Sequence, residues 1–229
     1  MRDVRAPGEA LVAGESARFV DQQAALADRL PLAAAILALT TLVLLFALTG
    51  SVVLPVKALL MNVLTLSAAF GLLVLVFQDG RFEDALGYVS QGGIESTQPL
   101  VLLAIAFGLS TDYAVFLLTR IKEEHDRGAG TEDAVAFGLA RTGRVVTAAA
   151  LLFAVAIGAF ATSEIIFIKQ VGLGTAAAVL IDATIVRALL VPALMKLLGD
   201  WNWWAPRPLR RLHKRFGWRE DGAGRAAPA

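Results

Sequence analysis

The chain has 229 residues, of which 57% are hydrophobic and only 18% are charged. Soluble domains average about 45–50% apolar and about 25% charged residues, so this composition excludes an ordinary soluble enzyme, a disordered chain and a nucleic-acid-binding protein. The net charge of +1 is uninformative, because here the position of each charge matters more than the sum. With no Cys and two His, a disulfide framework, a cysteine nucleophile and a thiolate or histidine-rich metal site are excluded, and no cofactor is expected.

Long apolar stretches predict an all-α membrane protein. A hydrocarbon core about 30 Å thick needs about 20 apolar residues in a helix. The sequence predicts a five-helix transmembrane bundle within a membrane domain at 31–200, with spans at about 31–49, 58–77, 99–119, 145–161 and 171–198.

The loops predict the orientation of these spans. Five spans leave six Lys and Arg residues on one side and fourteen on the other, and the richer side is expected to be cytoplasmic. We therefore predict a multi-pass protein of the cell membrane, with its N-terminus outside and its C-terminus in the cytoplasm. Residues 1–30 read as the tail of an outer domain, ending in a short amphipathic helix over Leu11–Leu30. Residues 201–229 read as a basic cytoplasmic tail that starts with an interfacial tryptophan cluster.

Two acids lie inside predicted spans, Asp112 in the third and Asp182 in the fifth. A charged side chain at the bilayer centre costs at least about 2.5–3.5 kcal/mol, so such a residue is expected to face protein or water and to be functional. Each acid belongs to a row of residues four apart that includes small side chains, which favours close helix packing over lipid contact. These rows are Ala104, Gly108, Asp112, Phe116 and Gly174, Ala178, Asp182, Val186, with a third at Ala150, Ala154, Gly158.

Burial disfavours the charged form of a carboxylic acid, so a buried Asp can exchange protons near neutral pH. Asp112 is therefore a candidate proton relay with Tyr113 beside it, and Ser110 and Thr111 precede it. An inert polar contact or a salt bridge is the alternative.

Three further polar residues in the spans have simpler interpretations. Arg187 follows Asp182 by five residues, about 140° further round an α-helix, so an intrahelical pair is unfavourable. We expect Arg187 to extend to the inner interface. The alternative is that it interacts with Asp182 from the next turn or with Asp112 across helices. Lys57 is likewise expected to reach the inner membrane edge, and Asn62 to be a helix-packing amide.

Four stretches together resemble the MMPL transporters of the resistance-nodulation-division (RND) superfamily. Residues 108–124 read Gly-Leu-Ser-Thr-Asp-Tyr-Ala-Val-Phe-Leu-Leu-Thr-Arg-Ile-Lys-Glu-Glu, which resembles the family's transmembrane Asp-Tyr motif. Three more stretches agree in order and spacing: Arg-Thr-Gly-Arg-Val-Val-Thr-Ala-Ala-Ala at 141–150, Asp-Ala-Thr-Ile-Val-Arg at 182–187 and Leu-Leu-Gly-Asp-Trp-Asn-Trp-Trp at 197–204.

The resemblance implies a fold and a function. Family members have twelve spans in two pseudo-symmetric halves, and they export lipids and other hydrophobic molecules with the proton gradient. The five spans here correspond to spans eight to twelve. Asp112 and Tyr113 correspond to the proton-carrying pair of the second half, with Asp182, Arg187, Ser110 and Thr111 as relay or packing support.

Because the first seven spans are unmatched, we expect a truncated chain of a proton antiporter. Its partners would be membrane lipid, a hydrophobic substrate, and an N-terminal half or second chain that supplies the remaining spans. The alternative is a non-transporting membrane subunit or a decayed remnant of such a transporter. An intramembrane serine protease is disfavoured, because both His lie outside the predicted spans.

Overall fold

A computed structural model of the chain describes residues 14–90, 92–94 and 96–216. Within these residues every regular element is helical. The helices are α1 (Glu15–Thr49), α2 (Val53–Leu73), α3 (Glu83–Leu86), α4 (Gln98–Asp126), α5 (Thr131–Gly158), α6 (Ile166–Ile181), α7 (Val191–Leu198) and α8 (Arg207–Phe216). Two π-helical segments extend this set: Val74–Gln78 continues α2, and Asp182–Leu190 joins α6 to α7.

Five helical segments of the described chain are long and apolar enough to cross a membrane, which confirms the predicted fold class. They run over Ala17–Thr49, Val53–Gln78, Gln98–Asp126, Thr131–Thr162 and Ile166–Trp203. Each is longer than predicted, because the helices continue into polar flanking residues that a hydropathy pattern excludes.

The prediction of a separate, short amphipathic helix at Leu11–Leu30 is wrong. The helix over these positions runs through to Thr49 without a break, while Leu11–Ala13 lie outside the described residues. Pro31 lies inside it, and Pro is tolerated in helices of membrane proteins. The chain divides into two compact units, Met1–Ala38 and Leu39–Ala229.

In the second unit, α6 packs against α2, α4 and α5, and α4 also packs against α2 and α5. Glycines allow the closest approaches. A Cβ on Gly172 would lie 2.8 Å from the backbone nitrogen of Ala161, and one on Gly174 would lie 2.8 Å from Leu73 Cδ1. The small residues predicted to line the packing faces of the fourth and fifth spans therefore do so, including Ala150, Ala154 and Ala178.

Two apolar cores lie at different levels of the bundle. One contains Leu73, Phe77 and Leu102, and the other contains Leu54, Leu118 and Met195. On each of the helices that supply both cores, polar residues lie between the two apolar groups in the chain. A layer of polar side chains therefore separates the two cores.

The first core ends at what we call the Tyr88 end, residues 79–97. Tyr88 is buried, and its hydroxyl donates to the Val76 carbonyl of the π-helical segment. Ser90 Oγ donates to the Phe77 carbonyl at 2.8 Å. Lys169 on α6 is buried and donates to the Leu86 carbonyl, so the α2–α4 connection is bonded both to the end of the second span and to α6.

The second core ends at what we call the Trp203 end, residues 50–52, 127–130 and 199–204. The ring of Trp203 stacks on His125 with centroids 4.0 Å apart, and its Nε1 donates to Thr131 Oγ1 at 3.2 Å. Asn202 is completely buried, and its Nδ2 donates to the carbonyls of Met195 and Gly199 at 2.7 and 2.6 Å. The turn after α7 is thus part of the core, whereas Trp201 and Trp204 remain exposed as an interfacial cluster requires.

Candidate functional site

The polar layer is built on an ion pair within one helix. Arg187 Nε donates to Asp182 Oδ2 at 2.6 Å, and both side chains are at most 7% exposed. The prediction that Arg187 extends to the membrane interface is therefore wrong. The two residues lie in the π-helical segment, where backbone bonds link residues five apart and so bring positions i and i+5 to one face.

Ser110 on α4 connects this pair to the neighbouring helices. Its hydroxyl lies 2.7 Å from Asn62 Oδ1 and 3.0 Å from Asp182 Oδ1. Because a hydroxyl carries one proton, it donates to only one of these oxygens at a time. The Ser110 carbonyl also accepts from Arg187 Nη2, so this residue is both a donor and an acceptor in the layer.

The other hydroxyls in the layer hold it to α2. Thr65 Oγ1 lies 3.5 Å from Asp182 Oδ1. Asn62 Nδ2 donates to Thr111 Oγ1 at 3.3 Å, and Thr111 Oγ1 donates back to the Phe107 carbonyl of its own helix at 2.8 Å. Asn62 is thus a packing amide, as predicted, and it also links the layer to the residue before Asp112.

Tyr113 joins the Asp-Tyr motif to the buried pair. The Arg187 guanidinium carbon lies 5.2 Å from the centroid of the Tyr113 ring, which is within cation–π range. The third and fifth predicted spans are therefore neighbours, and the candidate residues Tyr113 and Asp182 both contact Arg187.

Asp112 itself is not buried in this bundle. Its side chain is exposed. Ala104, Gly108 and Phe116 of the same row are exposed too. Within the described residues, the prediction that both acids lie on packed faces holds for Asp182 and not for Asp112, because Ser110 and Leu117 face the bundle and the Asp112 row faces away.

Sequence reasoning missed the environment of Lys57. This side chain is 7% exposed, and its Nζ donates to Asn202 Oδ1 of the Trp203 end at 2.8 Å. The apolar residues on both sides of Lys57 in α2 were a signal of burial. Nothing in the sequence indicated that Asn202, beyond the last span, would turn back to meet it.

Lys57 and the ion pair line one cavity of about 30 Å³. Its polar walls come from α2, α4 and the π-helical segment: Lys57, Asn62, Ser110, Asp182, Arg187. Arg187 Nη1 is buried and has no hydrogen-bond partner among the described protein atoms. A space that holds one water needs about 10–15 Å³, so this cavity exceeds the size of one water molecule.

The described geometry defines a multi-pass helical membrane protein with an ionisable cluster between its spans and an acid on an exposed helix face. The sequence profile of the MMPL family matches residues 3–228, and the chain belongs to this family.

The chain is similar to several curated proteins. It is 50% identical over 229 residues, 100% of this chain, to a putative membrane protein of Streptomyces coelicolor. It is 46% identical over 209 residues to the trehalose monomycolate exporter MmpL3 of Mycolicibacterium smegmatis, which covers 91% of this chain. It is 42% identical over 201 residues to the mycolic acid-containing lipids exporter MmpL11 of the same species, which covers 88% of this chain.

The chain spans only part of the length of these relatives. It matches 32% of the Streptomyces coelicolor protein, 20% of MmpL3 and 21% of MmpL11.

Proposed function

We propose that this chain is part of a proton-driven exporter of lipids or other hydrophobic molecules. Membership of the MMPL family and similarity to the exporters MmpL3 and MmpL11 support this class of function. The observation that carries the proton coupling is the contact between Tyr113 and Arg187. Through it, the residue that follows Asp112 in the chain lies against the guanidinium of the buried Asp182–Arg187 pair.

In this proposal Asp112 takes up and releases the transported proton. An acid within a span is costly unless it faces protein or water, so the exposed Asp112 needs a covering surface. The small side chains of Ala104 and Gly108 in the same row let another transmembrane helix approach closely. That helix belongs to the spans that the rest of the transporter supplies, in the same polypeptide or in a second chain.

The remaining site residues position and tune the relay. Protonation of Asp112 changes the electrostatic environment of Tyr113 and, through its ring, of the Arg187 guanidinium. Arg187 is held in place by Asp182 and by the Ser110 carbonyl. Thr111 connects the same stretch of α4 to Asn62. A change of charge at Asp112 is thereby passed to three helices.

We also propose the domain boundaries and the orientation. Residues 1–30 form the tail of an outer domain, 31–200 the transmembrane domain and 201–229 a cytoplasmic tail. The Tyr88 end faces outward and the Trp203 end faces the cytoplasm. The excess of Lys and Arg in the segments beside the Trp203 end supports this orientation.

A chimera tests the function directly. This chain replaces the matching segment of Mycolicibacterium smegmatis MmpL3, and export of trehalose monomycolate is measured in cells depleted of their own exporter. The unmodified chimera should export, and a protonophore should stop it. Asp112→Asn should abolish export at an unchanged amount of membrane protein, because the amide keeps the size and polarity of the side chain but holds no exchangeable acid proton.

The matched control is Asp126→Asn, an exposed acid at the end of the same helix that pairs with Lys122 at 2.6 Å. It should export normally. Export by Asp112→Asn at the unmodified rate would contradict the relay assignment. A correctly inserted chimera without export would favour the alternative of a non-transporting subunit or remnant.

A further inference from the structure

The helix α8 follows the Trp203 end of the bundle and is strongly basic. Five of its ten residues are Arg or Lys, and the sequence has no Asp or Glu between Asp200 and Glu220. The basic residues near the end of α4, by contrast, pair with acids of the same helix. The segment that contains α8 therefore carries an excess of positive charge that its own sequence does not balance.

The charged and apolar residues of α8 lie on opposite sides of the helix. Arg207, Arg210 and Arg211 are exposed and fall within an arc of about 100°. Leu209 and Leu212 lie about 150° from the middle of this arc, and Leu212 is 50% exposed. This is the pattern of a helix that lies in the membrane interface, with its apolar side toward the hydrocarbon and its basic side among the headgroups.

Contacts with the turn between α1 and α2 fix the position of α8. The His213 ring packs edge-on against Phe46, with centroids 5.8 Å apart. Gly50 has φ +68°, and a Cβ there would lie 2.8 Å from the His213 ring, so glycine permits this approach. The backbone nitrogen of Val52 donates to the Trp204 carbonyl at 3.1 Å just before α8 begins. The helix is thus held against the end of the bundle rather than connected to it by a free linker.

Two exposed tryptophans place the start of α8 at the depth of the headgroups. Trp201 and Trp204 are 70% and 49% exposed, and their rings stack with centroids 6.5 Å apart. Tryptophan is enriched at the membrane–water interface, and a guanidinium can bind a phosphate group through two parallel hydrogen bonds. Exposed indoles and Leu212 beside the arginines favour a lipid surface over an acidic protein as the partner.

We propose that the arginine face of α8, formed by Arg207, Arg210 and Arg211, binds the phosphate groups of anionic phospholipids in the leaflet at the Trp203 end. In the proposed orientation this is the cytoplasmic leaflet. The interaction is independent of export, so its test and the test of the proposed function can fail separately.

Tryptophan fluorescence measures the lipids beside α8. All four tryptophans of the sequence fall within positions 201–218. The full chain is reconstituted in vesicles of phosphatidylcholine with a minor fraction of phosphatidylglycerol, and one lipid or the other carries bromine on its acyl chains to quench nearby tryptophans. We expect phosphatidylglycerol to be enriched about fivefold or more beside the tryptophans, the factor that one basic residue supplies near an anionic surface.

The variant Arg207→Gln/Arg210→Gln/Arg211→Gln should reduce this enrichment to a value close to one. Gln has a helix propensity similar to that of Arg, so α8 itself should remain. In the unmodified chain, salt raised from about 0.05 M to about 0.5 M should also lower the enrichment, because exposed charges are screened.

The matched control removes three exposed arginines from α4–α5 and their connection, as Arg127→Gln/Arg141→Gln/Arg144→Gln. It changes the net charge by the same amount and should keep most of the enrichment. Equal quenching by the two brominated lipids in the unmodified chain would overturn the proposal and leave an acidic protein as the partner. A loss of enrichment in the control as large as in the α8 variant, or an enrichment that salt does not change, would overturn it as well.

Discussion

Arg187 reaches back along its own helix to bind Asp182, with Nε and Oδ2 2.6 Å apart across five positions of sequence. In a regular α-helix these side chains point in different directions. The π-helical segment Asp182–Leu190 changes the phase of the helix at this point and brings the two together. π-Helical turns occur often at functional sites, and this nine-residue segment closes the polar layer between two apolar cores.

The ion pair should behave as a unit in stability measurements. Asp182→Asn and Arg187→Met should each lower the free energy of unfolding by about 3–5 kcal/mol, because each leaves the other charge buried without its partner. The double variant should recover most of this loss. Denaturant titration of the purified chain in detergent micelles measures the cycle, and purely additive losses would show that the pair is not coupled.

Tyr113→Phe should reduce export less than Asp112→Asn in the chimera. Only the hydroxyl is removed, while the ring that packs over Arg187 remains. Tyr113→Leu removes the ring and should therefore be the more damaging change at this position. Equal export by all Tyr113 variants would exclude a role for the Tyr113–Arg187 contact.

Variants at two glycines test whether another helix, rather than lipid, covers the Asp112 face. Gly108, in the Asp112 row, and Gly71, on α2, are both helical with no atom within 4 Å of an added Cβ. Gly108→Leu and Gly71→Leu should therefore both leave the stability of the chain alone unchanged or slightly improved.

In the exporting chimera the two variants should differ. Gly108→Leu should block close approach of another transmembrane helix and abolish export, whereas Gly71→Leu should export normally. Normal export by both would mean that no helix packs closely on the Asp112 row.

The orientation can be tested by cysteine labelling, since the chain has no cysteine of its own. Ala85→Cys places a thiol at an exposed position of the Tyr88 end, and Arg127→Cys places one at the Trp203 end. A membrane-impermeant maleimide added to intact cells should label Ala85→Cys and not Arg127→Cys. The reverse pattern would invert the proposed topology.

The number of spans and the identity of the ionisable residues were predictable from the sequence. A run of apolar residues is a local property, and its length alone states whether a helix can cross a bilayer. The energetic cost of a charge in the membrane likewise identified Asp112 and Asp182 as candidate functional residues without any structure. The small-residue rows identified the packed faces of the fourth and fifth spans.

The tertiary structure decided how those residues face one another. Periodicity assumes a constant helical phase, and the π-helical segment breaks that assumption between Asp182 and Arg187. Lys57 is buried because the turn after α7 folds back and supplies Asn202, a contact between residues 145 positions apart. Packing also left the Asp112 row on the surface while it covered the Asp182 row, since a stripe of small residues shows that a face can be packed closely but not which helix packs against it.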